Sequence, residues 1–224
     1  MSPNPQSQTH TSKTSKIFGY YEVTAGDVAR SPDAVLLGHG GFGDVYKIRW
    51  GAKGEHVAAK YIRAKPEEHE FAVKMLRKEA RIMDTVKDHP NIIGIVGLCQ
   101  KKGSLCLVME LAQRGTLQDV IDKQAMPAME TKFSMVAQVA FGMHHLHDNG
   151  IMHHDLKPGN VLLSSDFTPK IADFGFSSNA AQTSNHSLKG AGTFTHMAPE
   201  LAKGAVFTSG CDVYAYGIVL SEIR

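Results

Sequence analysis

The sequence predicts an α+β chain in two unequal parts: a small antiparallel sheet flanked by one helix, then a mainly helical half. Three observations predict it. Between Ala34 and Trp50 two strand-like runs flank a glycine-dense turn, with Tyr46, Ile48 and Trp50 alternating against Lys47 and Arg49, which reads as a β-hairpin. Between Pro66 and Val86 apolar residues recur at helical spacing, with strand-like runs on either side. After Gln118 the strand pattern gives way to long helix-periodic runs broken only by short β-type segments.

Composition narrows the function classes. The chain has 224 residues, enough to bury a real core in one or two domains, and the composition of a soluble globular protein. A formal charge of +2, from Lys and Arg residues that are scattered rather than clustered, is too small to argue for a nucleic acid or a membrane surface, and no nucleic-acid partner is expected. The three cysteines, Cys99, Cys106 and Cys211, form no CxxC pair and no apolar signal segment opens the chain, so a cytoplasmic protein is expected. No run reaches the roughly 18 apolar residues of a membrane helix. His144, His145, His147, His153 and His154 crowd together without a cysteine, and are read as surface and structural histidines rather than zinc ligands.

Taken in order, residues 1–16 are rich in Ser, Thr, Gln, Asn and Pro and read as a disordered arm, followed by a lead-in segment over 17–33. In the hairpin, Gly38, Gly40 and Gly43 fit G-x-G-x-x-G, a weak signal shared with dinucleotide-binding folds. Those folds need a helix after the glycines, where this chain alternates as a strand. A Walker loop needs Lys and Ser or Thr after its last glycine, where Asp44 and Val45 stand. What remains is a flap whose backbone N–H groups can lie over phosphates.

The next strand, His56 to Arg63, carries Lys60 after Val57, Ala58 and Ala59. A lone strand lysine usually faces water. In the following helix, however, Phe71, Met75, Met83 and Val86 mark an inward stripe, and Glu79 falls four residues after Met75 and four before Met83. A carboxylate in such a stripe needs a partner, and Lys60 on the preceding strand is the natural one, unless Glu79 reaches water at the edge of the stripe. HPNIIGIVGLC and SLCLVMEL then complete a five-stranded antiparallel sheet. The sheet part spans 34–110, a hinge 111–115, and the helical part 116–224.

In the helical part, helices near Leu117 to Lys123 and Met129 to His147 lead to IMHHDLKPGN, residues Ile151 to Asn160. Pro158 and Gly159 forbid a continuing helix, so Asp155, Lys157 and Asn160 stand on a connection between packed elements, where reacting groups are usually presented. The short runs VLL and PKIA follow as a strand pair, then Asp173, Phe174 and Gly175. The Ser/Thr-rich stretch from Phe176 to Met197 is long for a loop without function. Ala198, Pro199 and Glu200 end it, and an apolar helix begins near Ser209.

The glycine flap, Lys60, Glu79, HHDLKPGN, DFG and APE occur in the order of the eukaryotic protein kinase signature, and from about Ala34 to Arg224 the chain resembles that family. The resemblance implies a bilobal protein-kinase-like fold and transfer of the γ-phosphate of ATP to a protein substrate, with Mg²⁺. Gly38, Gly40, Gly41, Phe42 and Gly43 would cover the phosphates, and Lys60, held by Glu79, would pair with them. Val45, Ala58 and Leu162 would sandwich the adenine, with Glu110 to Ala112 offering backbone hydrogen bonds and Met109 at the rear. Asn160 and Asp173 would hold Mg²⁺, Asp155 would accept the proton of the substrate hydroxyl, and Lys157 would contact phosphate.

Lys157 and Thr193 in GTFTHMAPE are similar to serine/threonine-directed kinases, and MAPE with CDVYAYGIVLSEI to the tyrosine-kinase-like branch. Two departures stand out. His154 replaces the Arg that usually precedes the catalytic Asp, so a phosphorylated activation segment would lose its strongest docking cation, and activity is expected not to depend strongly on phosphates at Thr183, Ser187 or Thr193. The helix around Asp212 is similar to the central helix of the larger lobe, yet the chain stops at Arg224. An incomplete larger lobe, lacking its last helices and with Glu200 short of its usual Arg partner, is therefore expected, and a nucleotide-binding scaffold or pseudokinase stands as the alternative.

Overall fold

The structure, a computed structural model, describes residues 16–17, 20–23, 34–39, 43–50, 54–101, 104–179 and 194–223. The expected disordered arm up to residue 15, most of the lead-in, Gly40, Gly41, Phe42, Thr183, Ser187 and Thr193 lie outside the described residues.

The strands are β1 (Lys16–Ile17), β2 (Tyr20–Val23), β3 (Val35–His39), β4 (Gly43–Trp50) and β5 (Glu55–Ile62), followed by helix α1 (His69–Val86), β6 (Ile95–Lys101) and β7 (Ser104–Glu110). They form one sheet of order β1-β2-β6-β7-β5-β4-β3. β3 to β7 are the expected antiparallel five. β1, which takes in Lys16 from the end of the expected arm, and β2 extend the sheet, β2 running parallel to β6 with Glu22 opposite Leu98. The sequence reading assigned no strand there, because a four-residue run such as YYEV is too short to show a period.

Alternation along β5 sorts its residues between two faces. Val57 and Ala59 join a cluster with Ile48, Cys99, Cys106 and Val108. Ala58 and Lys60 face the opposite side, toward the cleft between the two parts of the chain. The α1 stripe holds Ala72, Leu76, Glu79, Ala80, Met83 and Val86 buried. Phe71, expected in that stripe, is exposed: it lies one position, about 100° of helix, away from Ala72. Glu79 remains inside the stripe and does not reach water.

The helical part comprises α2 (Leu117–Asp122), α3 (Met129–Asp148), β8 (Ile151–Met152), β9 (Val161–Leu163), β10 (Pro169–Ile171), β11 (Ser178–Asn179), α4 (Pro199–Ala202) and α5 (Ser209–Glu222). Thr116 starts α2 with a capping box, its side chain accepting from the Asp119 N–H while the Asp119 carboxylate accepts from the Thr116 N–H. α3 buries Met135, Val139, Met143 and Leu146 as its periodicity predicts, while Val136 and Ala140 are half-buried. It also buries Gly142, where a Cβ would meet Ile171 Cδ1 at 2.7 Å and the Asn91 carbonyl oxygen at 3.0 Å. A glycine is thus required inside a helix for close approach to a neighbouring chain. The same Asn91 carbonyl accepts from Ile171 N–H and the Ile171 carbonyl accepts from Ile93 N–H, both at 2.9 Å, stitching the sheet part to β10. One apolar cluster accordingly runs through both parts, from Leu76 and Met83 through Leu156 and Phe174 to Ala215 and Val219.

On α5, Asp212, Ala215 and Val219 are buried, whereas Val213, Tyr214 and Leu220 are exposed. No described helix is long and apolar enough to cross a membrane.

Candidate active site

Lys60 and Glu79 meet as the α1 stripe predicts. The Lys60 ammonium donates to both Glu79 oxygens at 2.8 Å and to Asp173 Oδ1 at 3.2 Å. Burial by itself lowers a lysine, but the charges of Glu79 and Asp173 outweigh it and hold Lys60 above its ordinary value. Burial likewise pushes the Asp173 carboxyl up, and Lys60 overcomes it, leaving Asp173 below the usual carboxylate range. Asp173 adopts φ of 62°, a left-handed turn just after Ile171 ends β10. Phe174 follows, fully buried, with its ring 5.4 Å from that of His153.

The IMHHDLKPGN connection is fixed from beneath by a residue to which the sequence reading assigned no role. The buried Asp212 carboxylate on α5 accepts from the backbone N–H groups of His153 at 2.8 Å and His154 at 2.9 Å. His147 Nε2, at the end of α3, donates to the same carboxylate at 2.9 Å. Above this anchor, Asp155 Oδ2 lies 2.8 Å from the Lys157 ammonium. The Asn160 amide nitrogen donates to the Asp155 carbonyl at 2.7 Å and to Asp155 Oδ2 at 2.9 Å. Ala172 N–H donates to the Asn160 carbonyl at 2.9 Å, so the residue before Asp173 is tied to Asn160.

A cleft of about 510 Å³ opens between the two parts of the chain, within the usual size of small-ligand sites. Val45 and Ala58 line it from the sheet, Met109 and Glu110 from the end of β7, Leu162 from β9 and Ala112 from the connection after β7, so the residues expected around the adenine share one cleft. Gly38, Lys60, Glu79, Asn160 and Asp173 share it. Gly38 has no heavy atom within 4 Å of where a Cβ would sit, while at Gly43 a Cβ would strike the Tyr61 carbonyl oxygen at 2.2 Å. Two glycines of one motif thus answer to different constraints. Glu110 is partly committed: its N–H donates to the Gly94 carbonyl, and its carboxylate accepts from Gly94 N–H at 2.7 Å and pairs with Lys170 at 2.8 Å.

The sequence reading missed Thr116, Asp119 and Lys47, which also line the cleft. The T-x-x-D capping signature could have drawn attention to the first two. As for metals, among the described residues no group of three or more His, Cys, Asp or Glu side chains could hold an ion. Asn160 and Asp173 form a smaller set of another kind. With the Asn160 amide nitrogen turned to Asp155, its side-chain oxygen and the Asp173 carboxylate are hard oxygen donors on one cleft, a set that fits Mg²⁺ with substrate phosphates and water completing the shell.

His154 departs from an ordinary histidine. Its φ is 70°, its ring lies 4.3 Å from that of Phe207, and Nε2 is 2.8 Å from Ser178 Oγ. Burial first, then the neighbouring His153 and Lys78, lower its pKa to about 4 against the pull of Asp212. The position thus carries no cation near neutral pH.

Comparison with known proteins agrees with this geometry. The protein kinase domain family matches residues 33–224. The chain is similar to mitogen-activated protein kinase kinase kinase 11 of Homo sapiens, 38% identical over 200 residues, covering 84% of this chain and 23% of that protein. A probable LIM domain-containing serine/threonine-protein kinase of Dictyostelium discoideum is 39% identical over 211 residues, covering 93% and 31% respectively. Mitogen-activated protein kinase kinase kinase 10 of Mus musculus is 36% identical over 200 residues, covering 84% and 21%. The chain spans less than a third of the length of these relatives.

Proposed function

The chain belongs to the protein kinase family, in its tyrosine-kinase-like serine/threonine branch, and on that premise we propose that it transfers the γ-phosphate of Mg-ATP to Ser or Thr hydroxyls of a protein substrate in intracellular signalling. The observation that carries this reading is the contact of Lys60 with both Glu79 and Asp173 inside the cleft that also holds Asn160. Phosphoryl transfer asks a protein mainly for positioning and charge neutralisation. Residues 34–110 form the smaller lobe that covers the nucleotide, 111–115 the hinge and 116–224 the larger lobe that carries the catalytic loop.

In this reading Val45, Ala58 and Leu162 hold the adenine, Met109 closes the rear of its pocket, and Glu110 and Ala112 offer backbone groups to its edge. Gly38, Gly40, Gly41, Phe42 and Gly43 lie over the phosphates, and Lys60, kept charged and aimed by Glu79, binds them. Asn160 and Asp173 hold Mg²⁺, which when bound neutralises phosphate charge. Asp155 accepts the proton of the substrate hydroxyl, and the Asn160 amide and Lys157 fix its carboxylate. Lys157 is also close enough to this carboxylate to meet the transferred phosphate.

The test is phosphate incorporation into a generic Ser/Thr-containing protein, with Asp155→Asn as the control. Incorporation lost in the variant supports the reading. Incorporation equal in both, or absent from wild type that binds Mg-ATP, overturns it, the latter in favour of a scaffold.

A further inference from the structure

We propose that Ser178 and His154 form an uncharged latch that holds Phe176 to Asn179 against the catalytic loop, positioning them for phosphoryl transfer without help from a phosphate group. The proposal rests on the kinase reading above and assigns Ser178 a positioning role.

Two successive seryl hydroxyls tie this segment to two successive residues of the loop. Ser177 Oγ donates to the His153 carbonyl at 3.2 Å, and Ser178 Oγ lies 2.8 Å from His154 Nε2. β11 pairs with β8 in the same place, Ser178 opposite Met152 and Asn179 opposite Ile151. The segment is therefore docked by its backbone and by both side chains.

The His154 ring is held on its other sides as well. Its backbone N–H is committed to Asp212, its φ of 70° lies in the left-handed region, and Phe207 packs on the ring. Its Nδ1 is buried with no hydrogen-bond partner among the described residues. A buried N–H without an acceptor is the rarer and costlier orphan. The neutral tautomer with its proton on Nε2 avoids that orphan, leaves a bare lone pair at Nδ1 and donates to Ser178 Oγ. Protonating Nδ1 would create the orphan, beside Lys78 and His153, with Asp212 alone among the described residues favouring the charge. A neutral imidazole is a poor dock for phosphate but a good partner for a hydroxyl.

The experiment uses the full chain after phosphatase treatment, as wild type, Ser178→Ala and Ser178→Thr. Three quantities are read: the rise in melting temperature with Mg-ATP, kcat and KM for ATP, and the His154 titration by NMR, assigned with His154→Gln. Dephosphorylated wild type should keep its kcat within about twofold, whereas Ser178→Ala should lose about tenfold in kcat with an unchanged ATP-induced rise. Ser178→Thr should restore kcat. Freed of its cover, His154 in Ser178→Ala should titrate nearer the ordinary histidine value of about 6.5. An unchanged kcat and titration in Ser178→Ala overturns the latch, and so does loss of activity on phosphatase treatment alone. If wild type shows the ATP-induced rise but never transfers phosphate, the kinase reading fails, and the titration alone then decides whether the latch exists.

Discussion

The ammonium of Lys60 lies 2.8 Å from each carboxylate oxygen of Glu79, across the buried space between β5 and α1. Removing Lys60 leaves the Glu79 carboxylate buried without its cation, which costs about 3–5 kcal/mol, and removing Glu79 leaves Lys60 the longer contact with Asp173, whereas removing both in favour of apolar groups is often close to neutral. Lys60→Met and Glu79→Leu should therefore each lower stability, and the double variant should lose less than the sum by at least about 1 kcal/mol. Urea unfolding of the four proteins measures the coupling. Strict additivity would mean that the pair is not formed in solution.

The flap glycines separate fold from ligand. Gly43→Ala drives a methyl group into the Tyr61 carbonyl on the neighbouring strand, so the hairpin must shift. Overpacking should cost roughly 1–3 kcal/mol of stability, so the melting temperature of Gly43→Ala should fall. Gly38→Ala meets open space and should melt like wild type, while its affinity for Mg-ATP falls because a Cβ now stands where backbone is proposed to approach phosphate. Calorimetric melting with and without Mg-ATP checks both. Equal melting of the two variants would contradict the different constraints.

Elements with a strong period were legible in the sequence: the β3–β4 hairpin, α1 and α3 stand within three residues of where periodicity put them. Glu79 was legible for the same reason, because a charge inside an apolar stripe announces a partner. β1, β2, β8 and β11 were not: runs of two to four residues carry no period, and β2, β8 and β11 are made by pairing with distant chain. Asp212 reads locally as one acid near a helix start. Its meaning lies in two backbone N–H groups nearly sixty residues away, which spacing cannot reveal. His154 was visible as a substitution in a motif, but the burial that keeps it neutral depends on Phe207 and Ser178.

The His154 imidazole makes stability depend on pH with a definite sign. Its folded value of about 4 lies below the unfolded value, so the unfolded chain binds more protons between about pH 4 and 6.5. Stability from this group is complete above pH 6.5 and is lost as pH falls, by roughly 3 kcal/mol once pH is below the folded value. His154→Gln keeps a neutral donor and should flatten that limb relative to wild type. Denaturation at pH 7, 6 and 5 tests the difference, and parallel profiles would show that His154 titrates freely.

Asp212 governs a separate, more acidic window. Burial pushes its carboxyl up, but His147, His153 and the two backbone donors hold it below the usual carboxylate range. Its contribution is present above the unfolded value of about 3.9 and is lost as pH falls through the lower folded value. Asp212→Asn keeps the shape but turns an amide N–H₂ toward a backbone N–H, leaving one buried donor unpaired at about 1–3 kcal/mol. The cleft residues are untouched, so the Mg-ATP-induced rise in melting temperature should survive while kcat falls, because the loop carrying Asp155 has lost its anchor. Loss of the rise together with kcat would place Asp212 in nucleotide binding instead, and an unchanged kcat would show that the backbone anchor does not set the position of Asp155.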